Sequence, residues 1–518
     1  MKQLLYIDLF CGAGGTSTGV NSARLHDEPC ADVIACVNHD AKAIASHAAN
    51  HPNALHFTED IRTLELSPLI AHIAECRKDN PEALIVLWAS LECTNFSKAK
   101  GGQPRDADSR TLAEHLFRYI EAIDPDYIQI ENVEEFMSWG ALDENGRPLS
   151  KDRGRCYVRW INKVKRYGYN YEYRIMNAAD YGAYTSRKRF FGIFAKYGLP
   201  IVFPEPTHSK TGEAGLFNDT QKWKPVRDVL DFEDEGKSIF SREKPLSEKT
   251  LERIYAGLIK FVAGGKSAFM VKYNSVNKKT GKYVPPSLDN PCPTVATQGR
   301  LALASVSFLS KQFGGSPEGK SISIEAPAGT ITCIDHHALV SARFLCSYNF
   351  KDTSRSIDAP CPTLLTKDRL ALIKVNFIAN EYSGGGQVSS IESPNPAVLT
   401  NPKQKLVTCK YQSEEAELPN FFIWTENGLA IEVYESDSPM MVKIKEFMAM
   451  YGLADISMRM LRIDELKLIM GFPENYVLIG TQADQKKFIG NAVEVTIARA
   501  WCEALCGEIE KHLKKEVA

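Results

Sequence analysis

The chain has 518 residues, 44% hydrophobic and 24% charged, with a formal net charge of −2; it is longer than one ordinary domain and can bury a substantial core. No run of about 18 or more apolar residues and no signal-peptide pattern appears, which argues against a membrane or secreted protein and for a cytoplasmic one, and near-neutral charge excludes nucleic-acid binding by bulk charge while allowing a local basic face. The 13 cysteines form no Cys-x-x-Cys pair, so neither disulfides nor a metal site is expected, and Cys502 and Cys506, one helical turn apart, read as core residues.

In chain order, Leu4–Phe10 reads as a strand that runs into Cys11-Gly12-Ala13-Gly14-Gly15. A strand feeding a glycine-rich turn and a helix exposes bare backbone N–H groups to a ligand. A second strand, Val33–Val37, ends at Asn38-His39-Asp40, and a helical segment leads to Glu59-Asp60-Ile61. Polar groups at successive strand ends suit a nucleoside-like cofactor lying across a sheet.

The apolar run Leu84–Ala89 reads as a buried strand followed by Ser90-Leu91-Glu92-Cys93-Thr94-Asn95-Phe96-Ser97. In open α/β sheets ligands sit beyond the carboxyl ends of strands, so Cys93 is the candidate nucleophile. The strand Tyr127–Ile130 carries Glu131-Asn132-Val133 at its tip. A carboxyl there, screened from water, should have a raised pKa and act as an acid at neutral pH. Further on, Arg187-Lys188-Arg189 opens a strand, and two guanidinium forks on one side of it can hold a phosphate and a carbonyl oxygen.

These segments, closed by Gly490-Asn491-Ala492-Val493, resemble the cytosine-C5 DNA methyltransferase family over about 1–207 and 440–505. The resemblance implies an α/β, Rossmann-like S-adenosylmethionine-dependent methyltransferase sheet with a β-rich target-recognition domain. It implies that Cys93 adds to C6 of a cytosine flipped out of double-stranded DNA while Glu131 protonates or hydrogen-bonds N3. Arg189 then holds the cytosine O2, and Arg187 lies nearer the phosphates. For the cofactor, S-adenosyl-L-methionine, the implied contacts are Phe10, Cys11, Gly12, Gly14 and Gly15 on the methionine side. Asn38 and His39 serve the ribose and adenine, Asp60 and Ile61 the adenine, and Ser90 with Asn491, Ala492 and Val493 completes the site. Several positions depart from the family pattern: Leu91-Glu92 replaces the usual proline before the cysteine, Asn38 the usual ribose acid, His39 the usual aromatic, and Tyr184-Thr185 the common Pro-Gln.

The middle of the chain carries its own pattern. From Phe269 to Cys409 a unit recurs about four times, opening at Phe269, Phe308, Phe344 and Phe377 and closing on a proline turn followed by a short β-rich run. The closing prolines Pro291, Pro327, Pro360 and Pro394 are 36, 33 and 34 residues apart by subtraction. Phe, Ile, Val and Thr with Pro/Gly punctuation argue hairpin-like units, and their Asn-, Gln-, Lys- and Gly-rich loops can reach groove edges and phosphates.

The expected organisation is therefore a catalytic domain over 1–207, a target-recognition domain over 208–440, and a catalytic return over 441–518 that includes a helix beginning at Arg459. A monomer acting on duplex DNA, with no metal and no membrane, is expected. Two alternatives stay open: a tRNA cytosine-5 methyltransferase, and a catalytically weak DNA-binding relative made conceivable by Leu91-Glu92.

Overall fold

The computed structural model describes residues 2–91, 112–140, 154–212, 219–231, 234, 237–259, 428–451 and 455–517, together with short strands between 268 and 425. Cys93 and the four proline turns of the repeats lie outside the described residues. The chain divides into two compact units, Met1–Trp223 with Leu466–Ala518, and Lys224–Glu465.

In the first unit, β1 (Leu4–Leu9) is followed by α1 (Gly15–Ser22), β2 (Ala31–Val37), α2 (Ala41–Asn50), β3 (Leu55–Phe57) and α3 (Ser67–Asp79). Next come β4 (Leu84–Ser90), α4 (Leu112–Ile123), β5 (Tyr127–Asn132), α5 (Arg155–Lys165), β6 (Tyr169–Asn177) and β7 (Lys188–Lys196). The seven strands lie in the order β3-β2-β1-β4-β5-β7-β6. All pair in parallel except β7, which runs antiparallel to both β5 and β6.

Alternation along the strands splits the core into two layers, because successive side chains point to opposite faces. Leu5, Ile7 and Leu9 join Ile85, Leu87, Ile128 and Ile130 under α3, α4 and α5. Leu4 and Tyr6 join Val86, Trp88, Tyr127 and Ile193 on the other face. That second face is closed by the C-terminal part of the chain, where α6 (Gln482–Asn491) and α7 (Val495–Val517) return to the sheet. Helix α7 presents Ile497, Ala498, Trp501, Cys502, Leu505, Cys506 and Ile509, all buried, the 3.6-residue stripe expected of a helix on a sheet. Trp501 is the keystone of that layer: it stacks on Phe203 (5.4 Å, 12°) and meets Trp88 and Phe191 edge-on at 5.5 Å. Its indole N–H donates to the Val202 carbonyl at 2.9 Å.

The second unit contains a six-stranded antiparallel sheet in the order Lys237–Ser238, Ser457–Met460, Gln404–Thr408, Phe377–Asn380, Leu301–Ser305, Ala268–Lys272. In each of the four repeats, the opening strand pairs antiparallel with the strand that follows its own proline turn. The pairs are Ala268–Lys272 with Leu301–Ser305, Leu309–Lys311 with His337–Leu339, Phe344–Ser347 with Leu370–Ile373, and Phe377–Asn380 with Gln404–Thr408. The helix expected from Arg459 begins instead at Ile463, because Ser457–Met460 is a strand between two partners. There the buried Arg459 guanidinium grips both carboxylate oxygens of Glu465 at 2.8 and 2.9 Å, a bidentate geometry that lets a charged pair be buried.

Replacing Trp501 by Ala removes a fully buried indole from three aromatic partners and should cost about 3–5 kcal/mol. Denaturant unfolding of the full chain, followed on the first unit, measures it, and a loss below about 1 kcal/mol would show that the ring carries little of the packing.

Candidate active site

The strand order reverses between β1 and β4, so their connections depart in opposite directions and leave an opening beyond their carboxyl ends. β1 exits into Phe10, held at φ +61°, and then Gly12 at φ +54° and Gly14 at φ +99°. Glycine adopts these left-handed conformations without the steric cost that a side chain brings. At Gly14 and Gly15 space also decides: a methyl group would strike the Tyr476 hydroxyl at the first and the Val493 carbonyl at the second. At Gly12 it would meet nothing within 4 Å. The turn is thus packed against the C-terminal segment on one side and has bare backbone facing open space at Gly12, a form that accommodates the polar end of a nucleoside-like cofactor. Cys11 is buried and its side chain packs with Cys36 and Ile44 beneath the turn, so only its backbone is placed to meet a ligand above it.

The next strand ends supply the groups expected for the cofactor. The half-buried Asn38 receives the Asp40 amide at 2.8 Å through its side-chain oxygen and donates its own amide to the Phe57 carbonyl at 3.1 Å. Asp40 caps α2 by accepting from the Lys42 and Ala43 amides. His39 is exposed. Asp60 is gripped by the Arg62 guanidinium at 2.7 Å, and that bond, with a smaller contribution from nearby His39, holds its carboxyl below the usual range. Ile61 is buried, and its carbonyl accepts from the Tyr119 hydroxyl at 2.9 Å and from Arg118 at 3.0 Å.

On the other side of the opening, β4 and β5 run parallel with Ser90 beside Glu131. Ser90 accepts from the Trp88 indole at 2.8 Å. Asn132 donates to the Leu91 carbonyl at 3.1 Å while its own oxygen receives the Val133 amide at 2.8 Å. That buried side chain ties the exit of β4 to the exit of β5, two residues before Cys93.

Glu131 is 6% exposed and meets Arg189 Nε at 3.3 Å. Across the antiparallel β5–β7 pair Glu131 faces Phe191, which makes Arg189 its diagonal neighbour on the same face. Burial pushes the Glu131 carboxyl up, and the charges of Arg189 and Arg187 only partly offset it, the direction the sequence suggests for an acid at a strand tip. Arg187 is 4% exposed and donates to the Gly490 carbonyl at 3.1 Å. It sits beneath the site, bridging β7 to the C-terminal return, rather than on an exposed face.

In that return Asn491 is exposed, while Ala492 and Val493 are buried. Three contributors lie outside the residues singled out from sequence. Asn132 had a signal, its place beside Glu131. Tyr476 had none, since its hydroxyl bonds the Ala13 carbonyl 463 residues away at 2.5 Å. Glu494 follows the Asn491–Val493 segment and caps α7 by accepting the Ile497 amide at 2.8 Å.

A mostly parallel sheet with β7 inserted antiparallel before β6, and a glycine turn at its switch point, defines a Rossmann-like methyltransferase domain. The chain belongs to the family of C-5 cytosine-specific DNA methylases, whose profile matches residues 4–282 and 383–506. It is 29% identical over 215 residues to the type II methyltransferase M1.HphI of Haemophilus parahaemolyticus, covering 41% of this chain and 51% of that one. It is 28% identical over 216 residues to M.AgeI of Thalassovita gelatinovora, covering 42% and 45%. The match therefore spans about half the length of these relatives. Among solved structures, the S. pombe Dnmt2 methyltransferase aligns over 98% of this chain and 99% of its own, at 15% identity and a TM-score of 0.45. No helix among the described residues is long and apolar enough to cross a membrane.

Glu494 allows a pH test of this corner. It is 1% exposed, and burial raises its carboxyl from 4.5 to about 7 despite the amides that bond it. Because the folded value is the higher one, stability from this group is complete below about 4.5 and is lost as pH rises through about 7. Glu494→Gln keeps the capping oxygen and removes the ionisation. The variant should gain on wild type by on the order of 3 kcal/mol between about pH 5 and about pH 8. Chemical denaturation across that range would refute the assignment if the difference stayed constant.

Proposed function

We propose that the chain is a DNA (cytosine-5-)-methyltransferase that acts on a flipped cytosine in a specific duplex sequence through a covalent Cys93 adduct. The observation that carries this reading is the buried Glu131–Arg189 pair at the tips of β5 and β7, beside the strand exit that leads to Cys93. A carboxyl with a raised pKa can give a proton to N3 of cytosine, and a fixed guanidinium beside it can hold O2. Protonation at N3 draws electrons from C6, where the Cys93 thiolate adds. C5 becomes nucleophilic and accepts a methyl group; loss of the C5 proton and expulsion of the thiolate then restore the ring. Arg187, anchored on Gly490, positions the start of β7 and adds positive charge near Glu131.

The cofactor in this reading is S-adenosyl-L-methionine, which supplies the methyl group when bound. Phe10, Gly12, Gly14 and Gly15 would cradle its methionine end, with the backbone of Cys11. Asn38 would take the ribose, His39, Asp60 and Ile61 the adenine, and Ser90 with Asn491, Ala492 and Val493 the side toward the substrate. The open face at Gly12 supports this. Asp60 enters it already paired to Arg62. Residues 208–440, which include the four strand pairs, are proposed to select the target sequence. The names of the type II relatives support a role as the modifying partner of a restriction system in a prokaryotic cytoplasm.

Incubating the full chain with labelled S-adenosylmethionine and either duplex DNA or tRNA separates this reading from transfer to RNA. Duplex DNA should be labelled within a defined sequence, and label confined to tRNA would overturn the substrate assignment. DNA containing 5-fluorocytosine should remain bonded to the protein, and Cys93→Ala should abolish the bond and lower turnover by a factor on the order of 10,000 or more. Glu131→Gln should lower turnover by about 100- to 10,000-fold. An adduct formed by Cys93→Ala would sink the nucleophile assignment.

A further inference from the structure

Beneath the glycine turn Cys11 after β1, Cys36 on β2 and His47 on α2 converge, and His56 on β3 adjoins the last two. We propose that they form a Cys2His2 site for a single zinc-like divalent cation that fastens the cofactor-binding corner of the sheet. Such an ion holds nitrogens at about 2.0–2.1 Å and sulfurs at about 2.3 Å in a tetrahedron. The edges of that tetrahedron follow by trigonometry as about 3.3 Å for N···N, about 3.6 Å for S···N and about 3.8 Å for S···S. Here His47 Nδ1 lies 3.0 Å from His56 Nε2 and 3.6 Å from Cys36 Sγ. The ligand atoms of Cys11, Cys36 and His47 all lie within 4.8 Å of one another; His56, outside that trio, meets His47 and Cys36 and would turn inward as the fourth ligand.

Hydrogen bonds outside the cluster orient the donors. The Ser17 hydroxyl donates to Asp8 at 2.7 Å, so its lone pair receives the N–H of His47 Nε2 at 2.8 Å. That leaves His47 Nδ1 with its lone pair turned into the cluster, as a ligating imidazole requires. The Ala54 backbone also lies beside the His56 ring. Thiolate and imidazole together select zinc over the hard cations magnesium and calcium. His56 is the partly exposed member and gives an ion its way in, while Cys11, Cys36 and His47 are buried. An ion at this point would join the turn that carries Phe10–Gly15 to the strand that ends at Asn38, independently of the methyl-transfer reading.

The test uses the full chain without DNA or methyl donor, so it can fail while the methyltransferase assignment stands, and the reverse. Chain purified from zinc-supplemented culture should carry about one zinc at this site. Cys36→Ser and His56→Ala, each checked for folding by circular dichroism, should each lose about one equivalent, and Cys502→Ser, in the separate cluster of Cys30, Cys502 and Cys506, should lose none of it. Cobalt(II) added to the metal-free wild type should give the thiolate charge-transfer and tetrahedral ligand-field bands, which needs no variant to fold. Zinc content unaffected by Cys36→Ser and His56→Ala, absence of those cobalt bands, or a Cys11–Cys36 disulfide in the purified chain would overturn the proposal.

Discussion

The first unit depends on one constraint, the burial of β1 on every side. Its six residues are all buried, it is hydrogen-bonded along its length to β2 and β4, and its alternating side chains feed both core layers. A strand so placed cannot slip by one residue without turning its apolar set inside out. Its carboxyl end is therefore a fixed point, and the glycine turn inherits that position. From the same end hang the open face at Gly12, the contact with Val493, and the cysteine–histidine cluster below. Asp8, the one acidic residue of β1, is tolerated because burial raises its carboxyl to about 8, which keeps it protonated near neutral pH, while Ser17 bonds one of its oxygens.

At the tips of the neighbouring strands the opposing terms are desolvation and charge. Glu131 is paired with Arg189 and lies within the field of Arg187, both of which favour its ionised form, yet burial is the larger influence and keeps its proton affinity high. The same contest recurs at Glu494, where amides at the start of α7 fail to offset burial. Arg459 and Glu465 in the second unit resolve it differently, by bidentate pairing.

Local pattern made much of this legible. The apolar runs that mark β1, β2, β4 and β5 sit within a residue or two of the observed strands, because a buried parallel strand needs continuous apolar sequence. The repeat at 33–36 residues emerged from aromatic and proline spacing alone, and the strands it names pair within their own units. What escaped was long-range. Arg459 looks helical because its neighbours continue into Ile463–Ile469, and only the partner strands Lys237–Ser238 and Gln404–Thr408 draw it into a sheet. The Cys11, Cys36, His47 and His56 donors carry no compact spacing, since strand order rather than sequence distance brings them together. Tyr476 was hidden for the same reason, as was the anchoring of the expected Arg187 on Gly490: each meets a backbone carbonyl hundreds of residues away.

The return of the chain to its first unit has a temporal meaning. Trp501 and the rest of α7 fill a face of the sheet whose other side chains are in place by residue 203, so during synthesis that face waits uncovered while some 300 residues are made. Gly19 of α1 comes so close to the backbone of α7 that a methyl group there would lie 2.6 Å from the Val495 carbonyl; the two helices fit only as a completed pair. The nascent first unit is thus an apolar surface awaiting α7, and the arrival of that helix both shields the surface and brings Asn491–Val493 to the glycine turn. Docking of α7 and assembly of the site are one event.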